Sequence, residues 1–273
     1  MKNLTLAKTT LLLLTIMIAG ISLYAQKLPN VQKTSVYAPL NIKTDGKTTE
    51  WDNKFEAQNG ATGLYYTMAN DGEKLYLTIQ GRDGNGTPIS KMLNGGVTFT
   101  VKSDNKSVKP VVFNFLIFQS KGLTGLQKKI NDPEAKIDSV LGPVNDQIAG
   151  ALKEIGVKGV SDITDTLISV YNEYGIKEVV KYDNKKALTC EIAIPLKYIS
   201  QLINGGTFKY NVKLNAIKMG NVSIVLNGSH VASGSEGEAK AMSLVNMIAT
   251  SGGNGSDSFN DTDFSGSYTL AKK

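Results

Sequence analysis

The chain has one cysteine, one histidine, one tryptophan and one arginine among 273 residues. Each scarcity removes a class of chemistry. Cys190 has no partner, so no intrachain disulfide forms, and burial alone must hold the fold. One cysteine and one histidine cannot build a zinc site of the Cys/His type. His230 is the only histidine base available to a serine nucleophile, and no serine lies in a G-x-S-x-G setting. There is no P-loop and no H-E-x-x-H. GRDGNG, residues 81–86, is glycine-rich but has no lysine after it, and it reads as a loop between strands with no helix following. Arg82 is the single arginine, so the bidentate phosphate and guanine contacts of a nucleic-acid binder have no supply. No basic stripe interleaved with aromatics exists either, and nucleic acid is not an expected partner.

Long apolar runs are also scarce, and the longest lies at the start. Lys2 and Lys8 precede an apolar stretch from Leu11 to Ile21, and SLYAQ closes it. This is the pattern of an export signal spanning residues 1–25, with cleavage expected between Ala25 and Gln26. The stretch is short for a membrane span. No cysteine near the cleavage site offers a lipid anchor. The expected product runs from Gln26 to Lys273, in the periplasm or outside the cell, with no membrane span. Losing Lys2 and Lys8 lowers the formal charge from +6 to +4, a mild excess carried by lysine.

What remains is rich in β patterning. LYYTMA (64–69), the turn residues Asn70, Asp71 and Gly72, and LYLTIQ (75–80) predict a hairpin. Leu75, Leu77 and Ile79 alternate with Tyr76, Thr78 and Gln80, as in a half-buried strand. NGGVTFTVK puts Val97, Phe99 and Val101 on one face. PVVFNFLIFQ (110–119) is more uniformly apolar and predicts a central strand buried on both faces.

Residues 123–174 change character and read as a helical insertion. Asp132-Pro133-Glu134 is a helix start. Ile137, Val140, Leu141, Val144, Ile148, Leu152 and Ile155 follow helical spacing, with Pro143 expected to kink or split the helix. Ser161-Asp162 opens a second expected helix, with Ile163, Leu167, Val170, Tyr171 and Tyr174 on its apolar side.

The β pattern then returns. Asp183-Asn184 turns a hairpin. Leu188, Cys190, Ile192 and Ile194 point one way, and Thr189, Glu191 and Ala193 the other, so Cys190 reads as a buried small residue. After a second NGG, Phe208, Tyr210, Val212, Leu214 and Ala216 share a face. AKAMSLVNMIA (239–249) fits helix or strand. SGGNGSDSFNDTDFSG reads as a polar loop, and Tyr268, Thr269 and Leu270 as a closing strand. Nine to eleven strands around a helical insertion predict one antiparallel, immunoglobulin-like or jelly-roll β-sandwich domain over residues 26–273.

TDGKTTEW, LYYTMANDGEKLYLTIQGRD, GGVTFTV and CEIAIPL, in that order, resemble the family 9 carbohydrate-binding modules and related secreted proteins of Bacteroidetes-type bacteria. The shared features are a D-G-x-x-x-x-W start (Asp45, Gly46, Trp51), an L-Y-L hairpin strand ending near an acidic residue, and a later E-x-x-I-P strand (Glu191, Ile194, Pro195). They span about Ile42 to Val101 and Thr189 to Met219. The resemblance implies a sandwich fold and a non-catalytic part in glycan handling. Sugar-binding members of that family hold the ligand between tryptophans. Here Trp51 is alone, so no sugar-contacting residue is carried over.

Trp51 is either a plug on the sandwich, with Phe55 beside it, or a solvent-facing stacking platform. Asp257, Asp261 and Asp263 offer oxygen ligands to calcium, or belong to a solvated loop. Asp138-Ser139-Val140 and Asp165-Thr166-Leu167 match a short O-glycosylation pattern of exported proteins. Two functions fit: a secreted non-catalytic binding module for carbohydrate or a cell-surface polymer, or an envelope structural or interaction protein that uses the helical insertion.

Overall fold

The computed structural model describes residues 27–82, 87–105, 107–118, 123, 126–217, 225–226, 229–230 and 256–273. The expected export signal, most of GRDGNG and the segment 239–249 lie outside them. Among the described residues the chain is mainly β, and two antiparallel sheets face each other across one continuous apolar core.

The elements, in chain order, are β1 (Ala57–Gln58), β2 (Tyr65–Asn70), β3 (Lys74–Gly81), α1 (Thr87–Asn94), β4 (Val97–Lys102), β5 (Val111–Phe118), α2 (Leu126–Asn131), α3 (Ile137–Ala151), β6 (Leu152–Lys158), β7 (Leu167–Ser169), β8 (Lys177–Tyr182), β9 (Leu188–Pro195), β10 (Thr207–Leu214), β11 (Val225–Leu226), β12 (Ser229–His230) and β13 (Thr262–Thr269). One sheet has five strands in the order β1-β2-β3-β9-β8. The other has six, β13-β10-β4-β5-β6-β7, and β11 pairs only with β12.

The hairpins form where turn chemistry predicts them. Between β2 and β3 the Asp71 carboxylate accepts the N–H groups of Glu73 and Lys74, both at 2.7 Å. Between β8 and β9 the Asp183 carboxylate accepts those of Lys185 and Ala187. The expected inward faces of β3, β4, β9 and β10 are buried, from Leu75 and Phe99 to Cys190 and Val212. Tyr66, Tyr182, Tyr198, Tyr210 and Tyr268 join them. Tyr66 and Tyr210 meet hydroxyl to hydroxyl between the sheets at 3.4 Å, and the Tyr210 ring lies over Gly266, where a Cβ would sit 2.6 Å from its hydroxyl.

Several expectations need correction. The helical segment is shorter than 123–174: α2 and α3 form, but the chain turns extended at Leu152 and enters β6 between β5 and β7. Leu152 and Ile155 fit the helical period, yet Ile155 and Val157 alternate as a strand does and are buried in sheet pairing. No second helix follows Ser161. That stretch holds β7 and turns, leaving Leu167 and Tyr171 exposed. Pro143 does not split α3. The carbonyl its missing N–H leaves free belongs to exposed Ser139, where water can satisfy it. β5 is central but alternates between buried and half-buried positions. Its run looks continuous because Leu116 adopts φ 61° at an irregularity between Asn114 and Ile117, adding a second inward residue next to Phe115. A helix, α1, does follow the glycine-rich stretch. The closing strand β13 begins at Thr262, so part of the expected polar loop is sheet.

Both edges of the five-stranded sheet are closed by side-chain amides. Gln32 accepts the N–H of Met68 at 2.7 Å and donates to its carbonyl at 2.8 Å, completing β2 where β1 stops. Asn145 of α3 does the same to Tyr182 of β8, at 2.8 and 3.0 Å. Each amide presents one donor and one acceptor, as a neighbouring strand would, and so blocks an edge that could pair with another chain.

Candidate functional site

The two sheets differ in what lies over their outer faces. On the five-stranded sheet the register aligns outward rows: Tyr65–Gln80–Thr189–Lys181, Thr67–Thr78–Glu191–Val179 and Ala69–Tyr76–Ala193–Lys177. Thr67, Thr78, Gln80, Thr189 and Glu191 are all at most 4% exposed, although polar. The N-terminal strap lies over this face. Val36, Ala38, Ile42 and Trp51 pack on Ala69, Tyr76 and Ala193, and the Glu56 N–H reaches Thr67 Oγ1 at 3.1 Å.

Glu191 ties the strap down. Its Oε2 accepts the backbone N–H groups of Asp45 and Gly46, both at 2.9 Å, and the Trp51 indole N–H points at Oε1 from 3.4 Å. Gly46 has φ +80°, and a Cβ there would approach the Lys181 side chain at 3.0 Å, so glycine suits both the turn and the contact. A 3-10 turn, Thr49–Trp51, delivers the indole. Asp52 and Asn53 follow in left-handed conformations that short polar side chains tolerate. Burial pushes the Glu191 carboxyl up, and the three donors pull against that. Trp51 is half-buried: it is a plug on the strap, and it does not pair with Phe55. Phe55 instead packs on Tyr65 at 5.9 Å, with the Arg82 guanidinium 3.7 Å from the Tyr65 ring centroid. The best-placed aromatic surface on this side is thus already occupied by the sole arginine.

The outer face of the six-stranded sheet carries no such strap among the described residues. Its rows run across the strands. One holds Ser267, Lys209 and Lys102; the next Ser265, Asn211, Thr100, Val112 and Lys158; the third Asp263, Lys213, Thr98, Asn114, Gly156 and Leu167. Lys102, Lys158 and Lys209 are exposed, and Thr98, Thr100, Val112, Asn114, Asn211 and Lys213 are half-buried. The Thr98 hydroxyl lies 2.9 Å from the Asn114 side-chain oxygen and 3.0 Å from that of Asn215. Gly156 gives Asn114 room: a Cβ there would stand 2.8 Å from the Asn114 amide nitrogen. The result is a sheet surface of hydroxyl, amide and ammonium groups with Val112 in its middle. The inward phase of β4 and β10 marks the core and leaves this face unassigned. The complementary phase of GGVTFTVK and GGTFKYNVKLN was the signal for this surface.

Other sequence candidates fall elsewhere. Asp261 is exposed and committed: it pairs with Lys213 Nζ at 2.8 Å and accepts the Ala216 N–H at 2.8 Å. Asp263 accepts from the Asn211 amide at 2.5 Å. Asp257 sits on a 3-10 turn, with its side chain outside the described residues. Among the described residues no three His, Cys, Asp or Glu groups are placed to hold a metal ion. His230 is on β12. The apolar side of α3 is spent on the sandwich: Val144 and Ile148 are buried, and Ile137, Val140 and Leu141 pack against the core. No helix among the described residues is long and apolar enough to cross a membrane.

One buried acid was missed. Glu178 shares the inward face of β8 with Val180 and Tyr182. Its Oε1 accepts the Leu116 N–H at 2.6 Å and lies 3.8 Å from Cys190 Sγ, while Oε2 has no partner. Burial pushes Glu178 up to about 8, and burial beside Glu178 and Glu191 raises the Cys190 thiol well above its usual range. Neither a protein-family model nor a curated protein matches this chain.

Proposed function

We propose that this protein is an exported, non-catalytic binding module, acting in the periplasm or outside the cell, and that it takes an extended polysaccharide on the outer face of its six-stranded sheet. The observation that carries this reading is the asymmetry of the two faces. One is closed by a strap pinned to Glu191, with its polar groups satisfied inside the protein. The other presents Thr98, Thr100, Asn114 and Asn211 in adjacent rows, an arrangement that can exchange hydrogen bonds with successive sugar hydroxyls. Half-buried Val112 gives an apolar contact for a sugar ring. The order of the D-G-x-x-x-x-W and E-x-x-I-P motifs supports the same class of function by resemblance.

Affinity electrophoresis against plant, host and bacterial polysaccharides tests it. Retardation by at least one polymer is expected, weakened by Thr100→Ala and Asn114→Ala and preserved in Trp51→Phe. Silence across the whole set overturns the reading. So does binding that depends on the strap variant and ignores the other two.

A further inference from the structure

We infer that the ligand of the six-stranded face is an acidic polysaccharide, its carboxylates drawn to one end of that face; this rests on the binding role proposed above. The charges on the face are sorted along the strands. Lys209 of β10 and Lys102 of β4 are directly opposed cross-strand partners. Like charges in that position oppose pairing, so sheet formation gains nothing from them. Lys158 extends the group, opposite Val112 on the far side of β5. It lies two strand spacings from Lys102, about 10 Å across the sheet. At the other end Asp263 and Asp261 flank Lys213 and Glu154 pairs with Ser169, while Asp104 is the acid that meets the lysine end. Of the three lysines at the first end, Lys209 meets Asp104 at 2.5 Å across an exposed bridge. Among the described residues Lys102 and Lys158 have no acidic partner within bridging distance.

The chemistry of that end favours a carboxylated sugar polymer over a nucleic acid. All its cations are lysines, compact point charges without the planar fork that grips phosphates in pairs. No aromatic side chain stands on the three rows to stack a base. Val112 of β5 stands between the strands of Lys102 and Lys158, and Thr100 and Asn211 continue the Lys158 row beside Lys102 and Lys209, so a chain crossing the lysines meets hydroxyl, amide and apolar groups alongside its charges.

Calorimetry with polygalacturonate, a neutral galactan and polyuridylate as probes tests the inference on the full chain and on Lys102→Gln, Lys158→Gln and Lys47→Gln. Lys47 is an exposed strap lysine, so its variant loses the same charge from the other face. The expected result is tighter binding of polygalacturonate than of galactan. Added salt should weaken it, because screening at 0.15 M sets in beyond about 8 Å. Lys102→Gln and Lys158→Gln should each weaken binding roughly 2- to 5-fold, the scale of an exposed charge pair, and Lys47→Gln should not. Thermal unfolding of each variant confirms the fold. Galactan bound as tightly and indifferent to the lysine variants would overturn the acidic ligand and leave the binding module standing. Binding of neither polysaccharide would overturn the acidic ligand, and would overturn the binding module as well when joined by silence across the wider polysaccharide set; tighter binding of polyuridylate would overturn the sugar as the source of charge.

Discussion

Glu191 accepts the backbone N–H of Gly46 at 2.9 Å, so the glycine of one sequence motif is fastened to the acid of another 145 residues away. The N–H of Asp45 and, more weakly, the Trp51 indole complete the same grip. The strap that covers polar Thr78 and Thr189 is anchored around Trp51 by this one carboxylate, and elsewhere by the backbone bonds of Val36 and Ala38 to Asn70 and by the Glu56 N–H to Thr67.

Replacing that carboxylate should therefore loosen the strap more than the rest of the sandwich. Glu191→Ala strands two backbone donors and is expected to cost about 2–4 kcal/mol in urea unfolding, the scale of breaking buried, charge-assisted bonds. Emission from Trp51, the sole tryptophan, should shift to longer wavelength in the native state. Trp51→Phe keeps the ring and loses only the weakest of the three bonds, so about 1 kcal/mol is expected. A Glu191→Ala variant as stable as the parent would contradict the role of the grip.

Glu178 gives the fold a pH dependence of definite sign. Its pKa rises from the ordinary 4.5 to about 8 in the folded state. Between these values the native protein holds a proton that the unfolded chain has released. Stability then falls as pH rises through that window, by about 1.4 kcal/mol per unit, and levels off above it. Glu178→Gln keeps an acceptor for the Leu116 N–H and has no proton to lose. Its melting temperature is expected to exceed the parent's at pH 8, with a flatter profile from pH 5 to 8. Parallel profiles would count against a buried, protonated Glu178.

The amide plugs make a separate prediction. Gln32→Ala leaves the N–H and carbonyl of buried Met68 without partners and opens the β2 edge. A loss of roughly 2–4 kcal/mol is expected from two unsatisfied groups. Light scattering should show faster aggregation, because an open edge is a template for pairing. Gln32→Glu keeps the acceptor and should retain part of the stability. No difference between the two variants would argue against the plug.

Lys186 sits at φ 62° in the β8–β9 turn, where a lysine is strained. Lys186→Gly removes a penalty of about 1–2 kcal/mol and adds back roughly 0.5–1 kcal/mol of unfolded-state entropy. The expected outcome is a small gain in urea midpoint with an unchanged slope, and a clear loss would show that the Lys186 side chain contributes packing.

The sandwich was legible because alternation and turn residues agreed in each hairpin. Leu75, Leu77 and Ile79 pointed inward as their spacing required, and Asp71 and Asp183 turned the chain. What failed was local pattern with two solutions. Ile155 satisfies a helical period with Leu152 and a strand phase with Val157, and only pairing with β5 decides between them. The face of the candidate site was half legible: Thr98, Thr100, Lys209 and Asn211 follow from alternation, but nothing local says which sheet a strap will cover. That depends on a contact as distant as Gly46 with Glu191. Glu178 was hidden for a similar reason, since an acid between Lys177 and Val179 reads as a solvent-facing residue until the opposing bulge at Leu116 supplies its partner.

The choice of face is the central claim, and the lone tryptophan reads it directly. Trp51 lies on the strap side, behind the core from Thr100 and Asn114. A polysaccharide whose binding is established by calorimetry should therefore leave Trp51 emission unchanged at saturation, in both intensity and wavelength. Quenching or a wavelength shift of Trp51 that tracks the calorimetric isotherm would place the ligand on the strap side and contradict the account.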